Sequence, residues 1–239
     1  MGTLALVDGT GLASNYSLNS ASLNITQRIL SSSGSKTYDA NTNALAADIS
    51  LTNLVVGETL NHSGTAAISS ANAGSYTITN LAGISLADNT GLASNYTLTG
   101  GTHNFTVNQR PLNATLARQY DGTTNAAGSD LSAFDALQGG ETLTLSGSGT
   151  AANDNVANGI SVSSLGTLAL VNGTGLVSNY SLNSASLNIT ERVLNSSGSK
   201  TYDANTNALA ADISLTNLVV GETLNHSGTA AISLSLIHI

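Results

Sequence analysis

The chain has 239 residues and a net charge of −8, yet only 8 % of its residues are charged and 4 % aromatic. Six basic residues scattered over that length exclude a phosphate-gripping surface, and the lack of cysteine excludes a disulfide framework and thiol chemistry. No apolar run nears the ~20 residues of a membrane-spanning helix, and no leader pattern opens the chain. With 41 % hydrophobic residues in patterned runs, disorder is disfavoured. Ser, Thr, Asn and Gly must supply the polar surface, which suits strands and turns better than solvated helices.

In chain order, the first turn signal is DGTG at Asp8–Gly11. The only helix-like stretch, NALAADI at Asn43–Ile49, is short enough to enter a strand instead. HNFTVN then alternates with Phe105 and Val107 on one face, and Pro111 fits the start of the next strand. LQGGE at Leu137–Glu141 is a turn, followed by ETLTLSG with Leu143 and Leu145 on one face. Alternation continues with Ile160 and Val162, then Leu168 and Leu170. After the turn NGTG at Asn172–Gly175 come Tyr180 with Leu182, and Leu187 with Ile189. Each pair is the buried side of a strand with one wet face.

Repetition organises these elements. Tyr38, Tyr120 and Tyr202 are 82 residues apart, as are Arg28, Arg110 and Arg192. Two whole repeats follow, 28–109 and 110–191, flanked by the tail of an earlier one (1–27) and the head of a later one (192–233). Residues 2–69 match 166–233 with five differences in 68 positions, so two repeat types alternate in a 164-residue super-repeat. Met1 leads straight into mid-repeat sequence and is not expected to be a natural start. The repeat is abandoned after Ser233. The hexapeptide LSLIHI, residues 234–239, resembles a translated sequencing-library adaptor and is set aside as a non-native tail.

Short strands with turns every 8–12 residues predict an all-β protein of tandem, Ig-like β-sandwich repeats in an elongated array. Each repeat would span about 30 Å. Almost no linker separates them, which favours a semi-rigid rod, and the truncated end repeats should be less protected from hydrogen exchange than 28–191. A continuous β-helix is the second choice and β-grasp units the third.

A repeat that opens with R-x-L, carries YDG or YDA after a basic residue, then GETL, AGSYTI, SNYTL and LNIT, resembles the YDG/MBG-type repeats of large bacterial surface adhesins. These include filamentous-haemagglutinin-like exoproteins. The resemblance covers nearly all of residues 2–233, and QYDGTTNAAGSDLSAFDALQGGETLTLSGSGTA is its clearest stretch. Asp-Ala stands for Asp-Gly at Asp39 and Asp203, and AGSY occurs once, at Ala73–Tyr76. The resemblance implies a secreted, outer-surface protein of a Gram-negative-type bacterium, with the repeats as stalk or spacer and no enzymatic activity. The alternative is a set of weak, multivalent glycan- or mucin-binding modules. Partners expected are the neighbouring repeats and a surface receptor, with glycan as one class. Neither nucleic acid nor membrane insertion of this segment is expected.

The candidate chemistry sits in fixed registers. Basic residues occupy the repeat start and, eight residues on, Lys36, Arg118 and Lys200. Acids recur at Asp39, Asp121 and Asp203 and at Glu58, Glu141 and Glu222. The third set is Tyr38, Tyr120 and Tyr202. A tyrosine beside an aspartate near a cation could suggest acid–base work. No substrate pocket is evident in each repeat and no histidine recurs in all three, so no catalytic residue is assigned. The motif is expected to be a turn braced by an ion pair, Lys36 with Asp39 or Glu58. Asp would bond its own backbone, and the Tyr hydroxyl would find a backbone partner. Ala40 and Ala204 stand where Gly122 does, which predicts a turn that does not need positive φ there. No cofactor is expected. Calcium has one weak candidate ligand, Asp154, between two asparagines. His62, His103, His226 and His238 lack metal-ligand spacing and are expected at the surface. Sequons such as Asn15-Tyr16-Ser17 arise by composition.

Overall fold

A computed structural model describes residues 4–20, 22–78 and 80–231. The protein is all-β and built from tandem repeats; among the described residues the only helical pieces are three-residue 3-10 turns. NALAADI splits accordingly into a strand at Asn43–Leu45, a 3-10 turn at Ala46–Asp48 and a strand at Ile49–Thr52. The chain forms two compact units. One gathers residues up to Gly34 with Ala44–Ala67 and Thr77–Asn104; the other gathers Ser35–Asn43, Ile68–Tyr76 and the chain from Phe105 onward. The division falls inside the strands Ser31–Thr37 and His103–Asn108, not at a linker.

In the first unit Ser31–Gly34 pairs antiparallel with Ile49–Thr52, and Asn61–Gly64 with Ile84–Ala87. Arg28–Ile29 runs parallel to Tyr96–Thr97. Leu30, Leu60 and Tyr96 form its buried centre, with Leu51, Leu54, Leu86 and Leu98 packed around them.

The second unit holds a six-stranded sheet in the order Asn125–Ala127, Ser148–Ala151, Ala157–Ser164, Tyr180–Thr190, Arg110–Gln119, Leu131–Phe134. A separate antiparallel pair, Leu143–Ser146 with Ala169–Asn172, packs against it. One core, Leu116, Leu145, Ile160, Val162, Leu187 and Ile189 among others, joins the two layers. The period-two pairs land as the alternation requires. Phe105, Val107, Leu143, Leu145, Ile160, Val162, Leu187 and Ile189 are buried, while Leu168 and Leu170 are half-buried against the core. Each fully buried Leu or Ile contributes about 1.5–3 kcal/mol.

The central feature of this sheet is its middle pair. Arg110–Gln119 and Tyr180–Thr190, the first and last strands of one repeat, run parallel and pair from Arg110↔Tyr180 to Gln119↔Thr190, with one bulge at Asn183. A parallel neighbour leaves at the end opposite to the one where its partner enters. The turn that follows the first strand therefore lies beside the exit of the last strand. Tyr120 N donates to Thr190 O at 2.9 Å. The same contact recurs one repeat earlier, Tyr38 N to Asn108 O at 2.9 Å. This topology carries the Tyr38 and Tyr120 turns to the start of the following repeat.

Candidate functional site

The Tyr-Asp turn is held by its basic residue. Lys36 Nζ lies 2.8 Å from Asp39 Oδ1 and donates to Asn41 O (2.8 Å), Asn41 Oδ1 (2.9 Å) and Asn43 O (2.8 Å). Of the two acids considered from sequence, Asp39 is the one it meets. Only 7 % of the lysine side chain is exposed, so its charge is spent inside the turn. Arg118 does the same work, meeting Asp121 and donating to Thr123 O. Lys200 meets Asp203 at 2.8 Å, Asn205 Oδ1 at 2.8 Å and Asn207 O at 2.6 Å. Each aspartate also accepts the backbone N–H two residues on, from Asn41, Thr123 and Asn205.

These bonds impose a left-handed residue, against the expectation drawn from Ala40 and Ala204. Ala40 has φ 62°, Ala204 64° and Gly122 74°. An alanine there costs about 1–2 kcal/mol. The Asp side chain and the cation over-determine the turn and hold it in that region whatever follows the aspartate. Replacing Lys36 by Met should therefore destabilise the protein by about 1–3 kcal/mol, since it strands carbonyls and a carboxylate that are partly buried. Urea unfolding checks this; a change under about 0.5 kcal/mol, typical of an inert surface position, would reduce the brace to decoration.

The tyrosine hydroxyl does not find a backbone partner. Tyr38, 3 % exposed, donates to Glu141 Oε1 of the next repeat at 2.7 Å. Tyr180 of that next repeat donates to Glu141 Oε2. The two rings meet edge to face, 5.3 Å apart at 77°. Tyr120 likewise donates to Glu222 Oε1 at 2.5 Å. Within the first unit Tyr96 donates to Glu58. Thus Glu58 and Glu141 are sockets for the SNY tyrosine of their own repeat, and Glu141 and Glu222 take the Tyr-Asp tyrosine of the repeat before. Sequence reasoning singled out the glutamates but missed Tyr96 and Tyr180 as their partners. The signal was the common register of GETL and SNY.

The repeat-start arginine closes the junction. Arg110 Nη1 donates to Tyr38 O at 3.2 Å and its Nε to Ala136 O at 2.8 Å. Arg192 Nη1 donates to Tyr120 O at 3.4 Å. Buried Asn179, beside Tyr180, accepts from Ala73 N at 2.8 Å and donates to Asn72 Oδ1 at 3.0 Å. That places the AGSY element, where Tyr76 donates to Asn72 O at 2.7 Å. Tyr202 is 77 % exposed, with its Lys200–Asp203 brace intact.

Burial, then the hydrogen bond and charge of Glu141, push the Tyr38 phenol from 10.0 up to about 12. Tyr180 is raised by burial and then by Glu141. Tyr96 and Tyr120 are raised first by their hydrogen bonds to Glu58 and Glu222, then by burial. Burial alone would raise Asp39, but the bonds from Lys36 and Asn41 outweigh it and hold the carboxyl below 3.8. Asp121 is lowered against its burial by Thr123 and Arg118, and Asp203 by Lys200. The signs give a pH window. Phenols raised in the folded state stabilise it fully below pH 10 and lose that contribution as pH climbs toward about 12. Depressed carboxyls stabilise it fully above 3.8 and lose that as pH falls further. Thermal melts across pH should show a plateau between these limits, with an alkaline fall that Tyr38→Phe reduces.

Chemically the site is saturated. Glu141 accepts two phenols and Asp39 a lysine, so neither is a free base beside a nucleophile. Among the described residues no group of three or more His, Cys, Asp or Glu gathers. Asp154 is half-buried in the loop between Ser148–Ala151 and Ala157–Ser164. His103 and His62 depart from the surface placement expected of them. His103 is 4 % exposed, with Nδ1 2.9 Å from Ser32 Oγ and Nε2 2.8 Å from Leu98 O, so both ring nitrogens are satisfied inside. His62 is half-buried against the carbonyls of Ala46 and Ile49, both at 2.9 Å, whereas His226, on Ala210 O, is exposed. His238 and the rest of the expected tail lie outside the described residues.

The braces at Lys36–Asp39 and Arg118–Asp121 each fall within a stretch that matches a known family. The family model for the YDG domain matches the chain twice, at residues 21–103 and 106–189. No curated protein and no solved structure matches it. With most of its length covered by those two matches, the chain belongs to the YDG domain family.

Proposed function

We propose that these repeats are a non-enzymatic stalk or spacer of a secreted bacterial surface adhesin, carrying a binding tip away from the cell. The observation that supports this is the recurrence of one junction: Tyr38 into Glu141 and Tyr120 into Glu222, each with an arginine on the tyrosine carbonyl. A module whose most elaborate polar cluster binds its own neighbour is built for succession. The boundaries 28–109 and 110–191 are the natural repeat units of such a stalk, and export to the outer surface is part of the same proposal.

Single-molecule extension of the full chain tests it. Each 82-residue repeat should unfold as one event and release roughly 27 nm of contour length. A featureless extension curve would sink the spacer reading. Binding of the chain to a glycan array would favour the recognition-module reading instead.

A further inference from the structure

The alternation of two repeat types has a physical basis at the junction. In the first and third repeats an asparagine holds the repeat-start arginine. Arg28 Nη2 donates to Asn53 Oδ1 at 2.9 Å, and Arg192 Nη2 to Asn217 Oδ1 at 3.0 Å. Both asparagines are left-handed, φ 68° and 71°, which suits that residue type. In the second repeat the position is Ala136, which has no side-chain acceptor. Gln138, two residues on, takes over: with its amide oxygen turned to the guanidinium it lies 3.0 Å from Arg110 Nε and 3.1 Å from Nη2.

Gln138 is thereby committed to Arg110, whereas its counterparts Val55 and Val219 are free to face an incoming turn. The turn that Val219 meets carries Gly122. A β-carbon on Gly122 would sit 2.9 Å from Val219 Cγ1, closer than such atoms approach. The turn that meets the glutamine-bearing loop carries Ala40 instead. Its β-carbon lies 3.7 Å from where one on Gly139 would stand, an ordinary van der Waals contact. Glycine therefore goes with valine, and alanine with glutamine.

We propose that the residue after Tyr-Asp and the residue three before the socket glutamate form a size-matched pair, so that a valine-bearing loop takes the Tyr-Asp-Gly turn of the other repeat type and rejects the Tyr-Asp-Ala turn of its own. The end of the first repeat follows from this. Arg28, Val55, Glu58 and Tyr96 line a cavity of about 400 Å³, and Val55 is 44 % exposed. Its occupant is the Tyr-Asp-Gly turn of a repeat of the 110–191 type. The pairing rule does not depend on where the protein resides.

Hydrogen exchange of the full chain, read by mass spectrometry, tests the rule. Gly122→Ala should speed exchange in the loop 217–222 about tenfold or more, the scale of an overpacked contact. The same change made on Val219→Ala should have a clearly smaller effect, because only the strain at positive φ remains. Gln138→Val should open the loop 136–141, and adding Ala40→Gly should close it again. This second arm asks the same question without placing a side chain at a positive φ. Protection of Tyr180–Thr190 stays at the parent level if the variants undock without unfolding. An equal effect of Gly122→Ala in both valine and alanine backgrounds overturns the rule. So does a failure of Ala40→Gly to restore protection.

Discussion

Glu141→Ala should lower stability by about 3–5 kcal/mol, because two charge-assisted bonds go and two buried phenols lose their acceptor. Tyr38 is 3 % exposed and Tyr180 2 %, so water does not reach either hydroxyl cheaply. Tyr38→Phe should cost less, about 1–2 kcal/mol, since Glu141 keeps Tyr180 and the Arg110 contact is to the Tyr38 backbone. Added to Glu141→Ala, Tyr38→Phe should cost almost nothing further. That non-additivity is the signature of a shared acceptor. Urea unfolding of the four proteins gives the cycle. Simple addition of the two losses would mean that the phenol and the carboxylate act separately.

Leu187→Ala should cost about 2–5 kcal/mol. Leu187 is wholly buried, faces Leu116 across the parallel pair and sits among Ile160, Val162 and Ile189. Its repeat equivalent, Leu23, is 86 % exposed. Leu23→Ala should therefore stay within about 0.5 kcal/mol. The two leucines have nearly identical sequence surroundings, so a large difference measures the parallel pairing itself. Similar losses at both sites would contradict the strand order of the sheet.

That contrast also shows what the sequence could convey. Period two is a local property, and it placed Leu143, Leu145, Leu187 and Ile189 on the inner face because one wet face dictates the alternation. The brace was legible for the same reason: Lys36 and Asp39 are three residues apart. The Tyr38–Glu141 bond spans 103 positions and depends on two strands running parallel, which no local pattern encodes. The left-handed alanines were hidden differently. Propensity favours glycine at φ 62°, but the side-chain bonds of Lys36 and Asp39 outweigh it. His103 was misplaced because polarity suggests a surface, while Ser32 and the Leu98 carbonyl supply water's role inside.

The parallel pair at the middle of the sheet has a mechanical meaning. Tension along the chain enters a repeat at Arg110 and leaves it at Thr190, at opposite ends of two strands lying side by side. Such a load shears the strands past one another. It does not peel them apart rung by rung. All ten paired positions then bear it together and must fail together. Antiparallel terminal strands of the same length and composition would open like a zipper. Strand direction, fixed by the repeat's topology and not by the strength of any single contact, sets how hard this protein is to pull apart.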